Sequence, residues 1–283
     1  SSRPLDEIEL PRISLNGKTM GTSWYVTFYD RNIDDIALKL ALQAAVDAVD
    51  QQMSLWKPDS GLNALNATAP DIWMNLPDET MRVLLRALEI GRSSGGAFDI
   101  SVGDAVTAWG FGPSPIDRDC VIELLKQPRR KRAHDLLEID SENRRVRKHA
   151  PVQFDLGGIA KGFGTDRLIE TAMAFGVTNL TAGIDGDLRC AGLRPDGRLW
   201  PIAVEAPDYA RRDVHSVLEL TDTAVATSGD YRHWLQVGDQ RLSHTINPVT
   251  GGPATSTPAS VTVLASDCMS ADAWATALMV LGE

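Results

Sequence analysis

The chain contains the segment PVQFDLGGIAKGFGTDRL at residues 151–168. Its composition predicts a strand, a glycine turn and then the start of a helix. Such a turn directs free backbone N–H groups and the positive end of the helix dipole toward one point. Gly157 and Gly158 let a ligand approach the backbone, Lys161 offers a positive charge, and Asp155 accepts hydrogen bonds. The segment therefore predicts a binding site for an anion such as a phosphate. Glycines that serve only helix packing are the alternative.

Two common nucleotide-binding motifs do not fit this segment. A Walker loop requires a lysine directly after a glycine, whereas Lys161 follows Ala160. The fingerprint GxGxxG of Rossmann domains requires a third glycine at the position of Arg167. The prediction of a phosphate site therefore rests on the physical properties of the segment itself.

The overall charge limits the classes of partner. The chain has 38 acidic and 28 basic residues, and its formal net charge is −10. An acidic surface repels nucleic-acid backbones, so we expect no nucleic-acid partner. Two basic runs, residues 128–132 and 144–148, are interpreted as solvated faces beside a hairpin. No apolar run approaches the roughly 18 residues that cross a bilayer, so the sequence predicts no transmembrane segment.

Periodicity predicts both helices and strands. Residues 23–29 alternate as a strand does, with Trp24, Val26 and Phe28 on one face. Residues 33–53 repeat apolar side chains at helical spacing. The resulting fold class is α+β, a single interwoven unit with mixed or antiparallel sheets and flanking helices. Further strands are predicted in the second half of the chain, at residues 177–183, 200–205, 216–221, 224–228, 241–246 and 260–265.

The last predicted helix carries two polar residues on an apolar face. Asp272 and Thr276 are four residues apart and therefore share one side of that helix. A carboxylate and a hydroxyl are hard oxygen ligands, which suit Mg²⁺ or Ca²⁺ better than zinc. The alternatives are a hydrogen bond between the two side chains, or a helix cap in which Ser270 takes part.

One histidine is placed for chemistry. His244 precedes a turn rich in proline and glycine, within SHTINPVTGGPA at residues 243–254. A histidine at such an edge can act as a base near neutral pH. A hydrogen-bonded turn histidine is the alternative.

Taken in order, nine segments of the chain resemble the ApbE family of FAD:protein FMN transferases. The resemblance extends from about residue 18 to the end, so the predicted domains are an N-terminal extension at residues 1–17 and an ApbE-like flavin transferase domain at residues 18–283. The segments are KTMGTSWYVTFY, MSLWKPDSGLNALN, GGAFDISVG, WGFGP, DLGGIAKGFGTDRL, DGDLRCAG, ATSGDYRHW, SHTINPVTGGPA and CMSADAWATAL.

The resemblance implies a substrate, a metal and a product. The bound nucleotide is expected to be FAD, with Mg²⁺ (or Ca²⁺) at its diphosphate. FMN would be joined by a phosphoester to a Thr or Ser of another protein, and AMP would be released. His244 is expected to assist the attacking hydroxyl, and Asp272, Thr276 and the carbonyl of Gly158 to hold the metal. The residues expected to line the FAD site are Met20, Trp56, Ala97, Phe98, Asp99, Asp155, Lys161 and Ile246.

The sequence departs from the family pattern near the expected phosphates. Family members usually have GGD where this chain has Asp185, Gly186 and Asp187. The added carboxylate of Asp185 is expected either to tighten metal binding or to repel the phosphates. Asn247 replaces the usual aspartate, and Thr245 an apolar residue, in the segment that follows His244.

Two other functions remain open at this point. One is an FAD-binding carrier or assembly factor for a respiratory complex, with little transferase activity. The other is an FAD diphosphatase, in which water replaces the protein hydroxyl. The resemblance further implies that the target is a flavoprotein subunit of a membrane electron-transfer complex and that the location is periplasmic.

Overall fold

The computed structural model describes residues 10–127, 130–205, 214–229, 234–255 and 258–282. The helices in these ranges are α1 Asp35–Met53, α2 Gly61–Ala67, α3 Asp78–Ser93, α4 Gly103–Ala108, α5 Arg118–Leu125, α6 Ala133–Leu136, α7 Ala160–Ala174 and α8 Cys268–Leu281. The strands are β1 Arg12–Thr19, β2 Thr22–Tyr29, β3 Met74–Asn75, β4 Leu137–Asp140, β5 Arg145–Lys148, β6 Leu180–Ile184, β7 Asp187–Ala191, β8 Trp200–Glu205, β9 Val214–Leu220, β10 Thr223–Gly229, β11 Trp234–Val237, β12 Gln240–Ser243 and β13 Ser260–Ala265.

The largest sheet has six strands in the order β1-β2-β6-β7-β10-β13. A smaller sheet has the order β3-β5-β4, and β8 with β9 and β11 with β12 form two further pairs. All of these neighbouring strands are antiparallel. The predicted α+β class is therefore confirmed. Strand β7, which the sequence pattern did not indicate, occupies the middle of the large sheet.

Helix α1 and strand β2 bury the faces that their periodicities predicted. The inward residues of α1 are fully or almost fully buried, at the spacing of four or three that places side chains on one side of a helix. Trp24, Val26 and Phe28 of β2 are at most 1% exposed. Asp34 caps α1 by accepting the N–H of Ala37 over 2.9 Å.

The predicted strand at residues 151–154 is wrong, although the glycine turn and helix that follow it are present. The buried side chain of Asn66 takes the place of a neighbouring strand. Its Nδ2 donates to the Phe154 carbonyl over 3.0 Å, and its Oδ1 accepts the Phe154 N–H over 2.8 Å. Asp155 then donates its N–H to the carbonyl of Ile100. The segment is thus held extended by a side-chain amide, a contact that no local pattern specifies.

Helices α7 and α8 pack unusually close at their N-terminal ends. A Cβ atom built on Gly162 of α7 would lie 2.2 Å from the carbonyl oxygen of Cys268 in α8. Only glycine permits that approach. Helix α8 itself begins with Asp267, whose carboxylate accepts the N–H of Ser270 over 2.7 Å. Ser270 is therefore not the cap, and its hydroxyl accepts instead from Nε of Arg86.

The two basic runs are less solvated than expected. Within β5, Arg145 and Arg147 lie over the ring of Trp73, and Lys148 is buried with its ammonium on the Asn66 and Val152 carbonyls. In the first run, residues 128–129 lie outside the described part of the chain. The side chain of Arg130 is only 8% exposed and pairs with Asp104. The interpretation as solvated faces is wrong for Lys148 and Arg130, because both side chains are buried against oxygen acceptors.

In the described ranges, no helix combines the length and the apolar character that a membrane span requires.

Candidate active site

A cleft of about 840 Å³ opens where the N-terminus of α7, one side of α8 and the turn between β6 and β7 meet. Its size suits a dinucleotide, since ligand pockets commonly measure about 300 to 1,000 Å³. The structure brings to this cleft all of the residues expected from the family resemblance. They are Met20, Trp56, Ala97, Phe98, Asp99, Asp155, Gly158, Lys161, His244, Ile246, Asp272 and Thr276.

The apolar end of the cleft combines an exposed aromatic ring with a buried one. Trp56 is 63% exposed at the rim, whereas Ala97 and Phe98 are about 5% exposed within it. The carboxylate of Asp99 accepts the N–H and the hydroxyl of Ser101 and the N–H of Ala133. Asp99 is thus held in one orientation by the loop around it.

Asp155 stands directly before the glycine turn. Its Oδ1 accepts the N–H of Gly157 over 3.2 Å, and a Cβ at Gly157 would come within 3.1 Å of its Oδ2. Loss of solvent around this carboxylate raises the pKa of Asp155. A poorly solvated carboxylate at the mouth of a turn is suited to accept an N–H or O–H of a ligand.

Lys161, in the first turn of α7, projects into a group of acidic side chains. Its Nζ lies 3.2 Å from Oδ2 of Asp185. Burial opposes the charged form of Lys161, but the carboxylates around it, Asp187 first, outweigh that cost and raise the pKa of Lys161. The lysine therefore stays an ammonium ion, the form that binds a phosphate oxygen.

Asp272 lies on the side of α8 that faces α7. It is 5% exposed, and its Oδ2 accepts the backbone N–H of Gly162 over 2.9 Å. The sequence predicted that backbone N–H groups at the N-terminus of α7 bind an anion. One of them, that of Gly162, binds the carboxylate of Asp272 from the same chain. Thr276 follows one turn later, and a Cβ at Gly158 would lie 3.1 Å from its Oγ1. Asp272, Thr276 and the backbone of Gly158 therefore surround one part of the cleft.

Asp187, the first residue of β7, was not singled out from the sequence. It is 4% exposed, and its carboxyl group lies within hydrogen-bonding range of the Asp272 carboxyl. Burial raises the pKa of both carboxyl groups, and the charge of Asp272 raises that of Asp187 further. The signal available in the sequence was the segment DGDLRCAG, whose departure from the family pattern pointed to Asp185 instead.

This donor set fits a hard divalent cation. No group of three or more His, Cys, Asp and Glu side chains is arranged for a metal ion in the part of the chain that the structure describes. The expected site, however, uses one carboxylate, one hydroxyl and one carbonyl, and Mg²⁺ commonly takes few protein ligands and completes its shell with water and phosphates. The carboxyl groups of Asp187 and Asp272 both line this part of the cleft.

His244 directly follows β12 and lines the cleft. The turn after it is closed by the bonds Asn247 N–H to Gly252 carbonyl and Gly251 N–H to Asn247 carbonyl. The Asn247 side chain accepts the N–H of Val249 over 2.9 Å. The side-chain oxygen of Asn247 therefore stabilises the turn in which it lies. The aspartate that is usual at this position in the family has an equivalent oxygen. Residues 230–233 of the segment ATSGDYRHW lie outside the described ranges.

Comparison with known proteins places this cleft in a family. A profile of the ApbE family matches residues 20–283. The chain is 35% identical over 276 residues to a Vibrio cholerae protein named FAD:protein FMN transferase, which covers 96% of this chain and 82% of that protein. It superimposes on the flavin transferase ApbE from Vibrio cholerae with a TM-score of 0.84, at 33% identity, covering 97% of this chain and 88% of that one. The apo form of the Pseudomonas stutzeri flavinyl transferase ApbE gives the same TM-score at 30% identity, with coverage of 99% and 87%.

Proposed function

This chain belongs to the ApbE family and is an FAD:protein FMN transferase, and we propose that it joins FMN to a Thr or Ser hydroxyl of a target protein with release of AMP and with the help of Mg²⁺. The observation that carries the proposal is the convergence of Asp155, Lys161, His244 and Asp272 on one cleft of dinucleotide size. These residues come from three separate parts of the chain, and together they provide an acceptor, an ammonium ion, a base and a metal-binding carboxylate.

The proposed reaction is a phosphoryl-group transfer. The target hydroxyl oxygen forms a new bond to the phosphorus of the FMN half of FAD. The bond between that phosphorus and the bridging oxygen of the diphosphate breaks, and the AMP phosphate leaves with the bridging oxygen and its electron pair. The hydroxyl proton passes to the imidazole of His244. Catalysis of such transfers depends mainly on positioning and on neutralisation of charge.

Asp272, Thr276 and the carbonyl of Gly158 are the residues that would hold Mg²⁺. When bound, the ion would neutralise diphosphate oxygens and stabilise the charge that develops on the leaving phosphate. The Gly162 N–H fixes the orientation of the Asp272 carboxylate, because it occupies one of its oxygens at 2.9 Å. The geometry of α7 and α8 thereby sets where the remaining oxygen points.

Lys161 and Asp155 would position the substrate. The ammonium ion of Lys161 stands beside the glycine turn, where a diphosphate can approach the backbone without meeting a Cβ atom. In the free enzyme this ammonium pairs with Asp185. A bound diphosphate would therefore compete with that carboxylate for Lys161.

We also propose, from the family resemblance alone, a periplasmic location and a target that is a flavoprotein subunit of a membrane electron-transfer complex. The test is cell fractionation of a producing strain, followed by in-gel flavin fluorescence of the membrane proteins with and without the gene. A cytoplasmic enzyme, or an unchanged set of flavinylated membrane proteins, would contradict this proposal.

The transferase itself is tested by incubating the protein with FAD, Mg²⁺ and candidate target domains. We expect a covalently fluorescent target band in a denaturing gel, and AMP in equal amount to the flavin attached. The matched control is a target whose acceptor Thr is replaced by Val. Free FMN with an unlabelled target would instead identify an FAD diphosphatase, and unchanged FAD would identify a carrier. Either of these results would overturn the proposed function.

A further inference from the structure

Asp187 has a buried carboxylate oxygen with no hydrogen-bond donor. Its Oδ2 is inaccessible to solvent, and it forms no hydrogen bond with the N–H and O–H groups of the described residues. The residue nevertheless lines the cleft. A buried carboxylate oxygen without a partner costs free energy, because water that solvated it has been removed and nothing replaces it. Such an oxygen is therefore suited to bind a ligand in the cleft.

The local charges indicate the sign of that ligand. Three carboxylates, those of Asp185, Asp187 and Asp272, act on the single ammonium of Lys161. Their formal sum with Lys161 is −2. Arg189 does not contribute, because it pairs with Asp166 at 2.7 Å. A divalent cation would balance this group.

The backbone holds Asp187 rigidly next to Asp272. Asp187 pairs with Ile184 across the turn that joins β6 and β7, in the middle of the six-stranded sheet. Asp272 is fixed by the Gly162 N–H on the neighbouring helix. The backbone that carries Asp187 is therefore fixed by the sheet, and the Asp272 carboxylate by the contact between α7 and α8.

A purely structural role does not explain this pair. A buried charged group normally contributes to stability only when hydrogen bonds and an opposite charge compensate it. Asp166 shows that pattern in the same helix as Lys161, since it accepts the N–H groups of Cys268 and Met269 and pairs with Arg189. Asp187 lacks comparable donors.

We propose that Asp187 supplies a carboxylate oxygen to the same divalent cation that Asp272 holds. This inference rests on the proposed function, and it adds a second carboxylate to the expected set of Asp272, Thr276 and the Gly158 carbonyl. Two carboxylates neutralise the two charges of the cation, and hard oxygen donors suit Mg²⁺, Mn²⁺ and Ca²⁺. The role of Asp187 is to anchor the cation.

The test measures Mn²⁺ binding by electron paramagnetic resonance, with FAD in excess and no target protein. We expect Asp187→Asn to weaken Mn²⁺ binding by about tenfold or more, on the scale found for perturbed metal sites. Asp222→Asn is the matched control, because it removes the same charge outside the cleft lining and asparagine tolerates the left-handed backbone there, at φ 47°. We expect that control to stay within about threefold of the wild type. Equal effects of the two substitutions, or no effect of Asp187→Asn, would overturn the inference.

Thermal unfolding separates anchoring from a structural role. In EDTA, Asp187→Asn should melt at the same temperature as the wild type or higher, because an uncompensated carboxylate has been removed. The rise in melting temperature that Mg²⁺ causes should be smaller in the variant. A lower melting temperature in EDTA with an undiminished Mg²⁺ effect would show that Asp187 is structural.

Mn²⁺ binding by the wild type separates a failure of the Asp187 assignment from a failure of the proposed metal-dependent function. If the wild-type protein with FAD binds no Mn²⁺, the proposed metal site and the role of Asp187 are both wrong. If it binds Mn²⁺ and Asp187→Asn binds equally well, only the role of Asp187 is wrong. Flavin attachment in the denaturing gel is scored independently of either result.

Discussion

The backbone N–H of Gly162 donates to Oδ2 of Asp272 over 2.9 Å, so the first turn of α7 is joined directly to the acidic face of α8. The same glycine permits the contact, since a Cβ there would lie 2.2 Å from the Cys268 carbonyl oxygen and 2.8 Å from Cβ of Asp272. One residue thus brings the two helices together and orients the carboxylate at the proposed metal site.

Gly162→Ala should destabilise the protein even though alanine favours helices by about 1 kcal/mol relative to glycine. The overlap is with backbone atoms of α8, which cannot rotate away, and overpacking of this kind costs about 1 to 3 kcal/mol. Urea unfolding measures the difference. Gly252→Ala is the control, because its nearest neighbour would be 3.7 Å away. Equal stability of the two variants would show that α7 and α8 adjust without cost.

His244→Ala should leave FAD affinity within a few fold of wild type and slow FMN transfer by about 10², the scale for loss of a general base. FAD binding is followed by flavin fluorescence, and transfer by the labelled band in a denaturing gel. His149→Ala serves as the control, since His149 pairs with Asp71 and Glu138 away from the cleft. A rate equal to that of the wild type would remove His244 from the mechanism.

Asp272→Asn should keep the fold and raise the Mg²⁺ concentration for half-maximal transfer by at least about tenfold. Asparagine retains an oxygen that can accept the Gly162 N–H but loses the charge that binds the cation. The measurement is the transfer rate as a function of Mg²⁺ concentration. Asp267→Asn is the charge-matched control, because asparagine caps a helix as well as aspartate does. Unchanged Mg²⁺ dependence in Asp272→Asn would contradict the metal assignment.

Asp185→Gly should tighten FAD binding by roughly 3- to 10-fold, which corresponds to about 1 kcal/mol. The substitution releases Lys161 from its partner at 3.2 Å and removes a carboxylate that repels the diphosphate. Glycine also adopts the positive φ of this turn without strain. Calorimetry measures the affinity, and Asp222→Gly, at φ 47° in the turn before β10, is the control. Weaker FAD binding would show that Asp185 positions Lys161 for the substrate.

The protein should bind FAD more tightly than FMN. The cleft offers Lys161 and the glycine turn to a diphosphate, and its volume of about 840 Å³ accommodates more than the flavin half. Calorimetric titrations with FAD, FMN and AMP provide the comparison. Equal affinities for FAD and FMN would show that the adenosine half makes no productive contact.

Local periodicity was sufficient to identify several elements of this fold. The stripe of α1 and the alternation of Trp24, Val26 and Phe28 were predicted correctly, because apolar side chains at helical or strand spacing have a single way to be buried together. The order of the nine family segments was sufficient for the family, and it also selected the residues that line the cleft.

The tertiary structure alone decided the contacts between distant segments. Residues 151–154 resemble a strand, yet it is Asn66, far away in the chain, that binds the backbone N–H and carbonyl of Phe154 in place of a neighbouring strand. The approach of Asp187 to Asp272, 85 positions later in the sequence, depends on the sheet and on the close packing of α7 against α8. A sequence pattern records which face of an element is apolar. It does not record which polar groups from other elements meet there, because those distances are set by the packing of the whole chain.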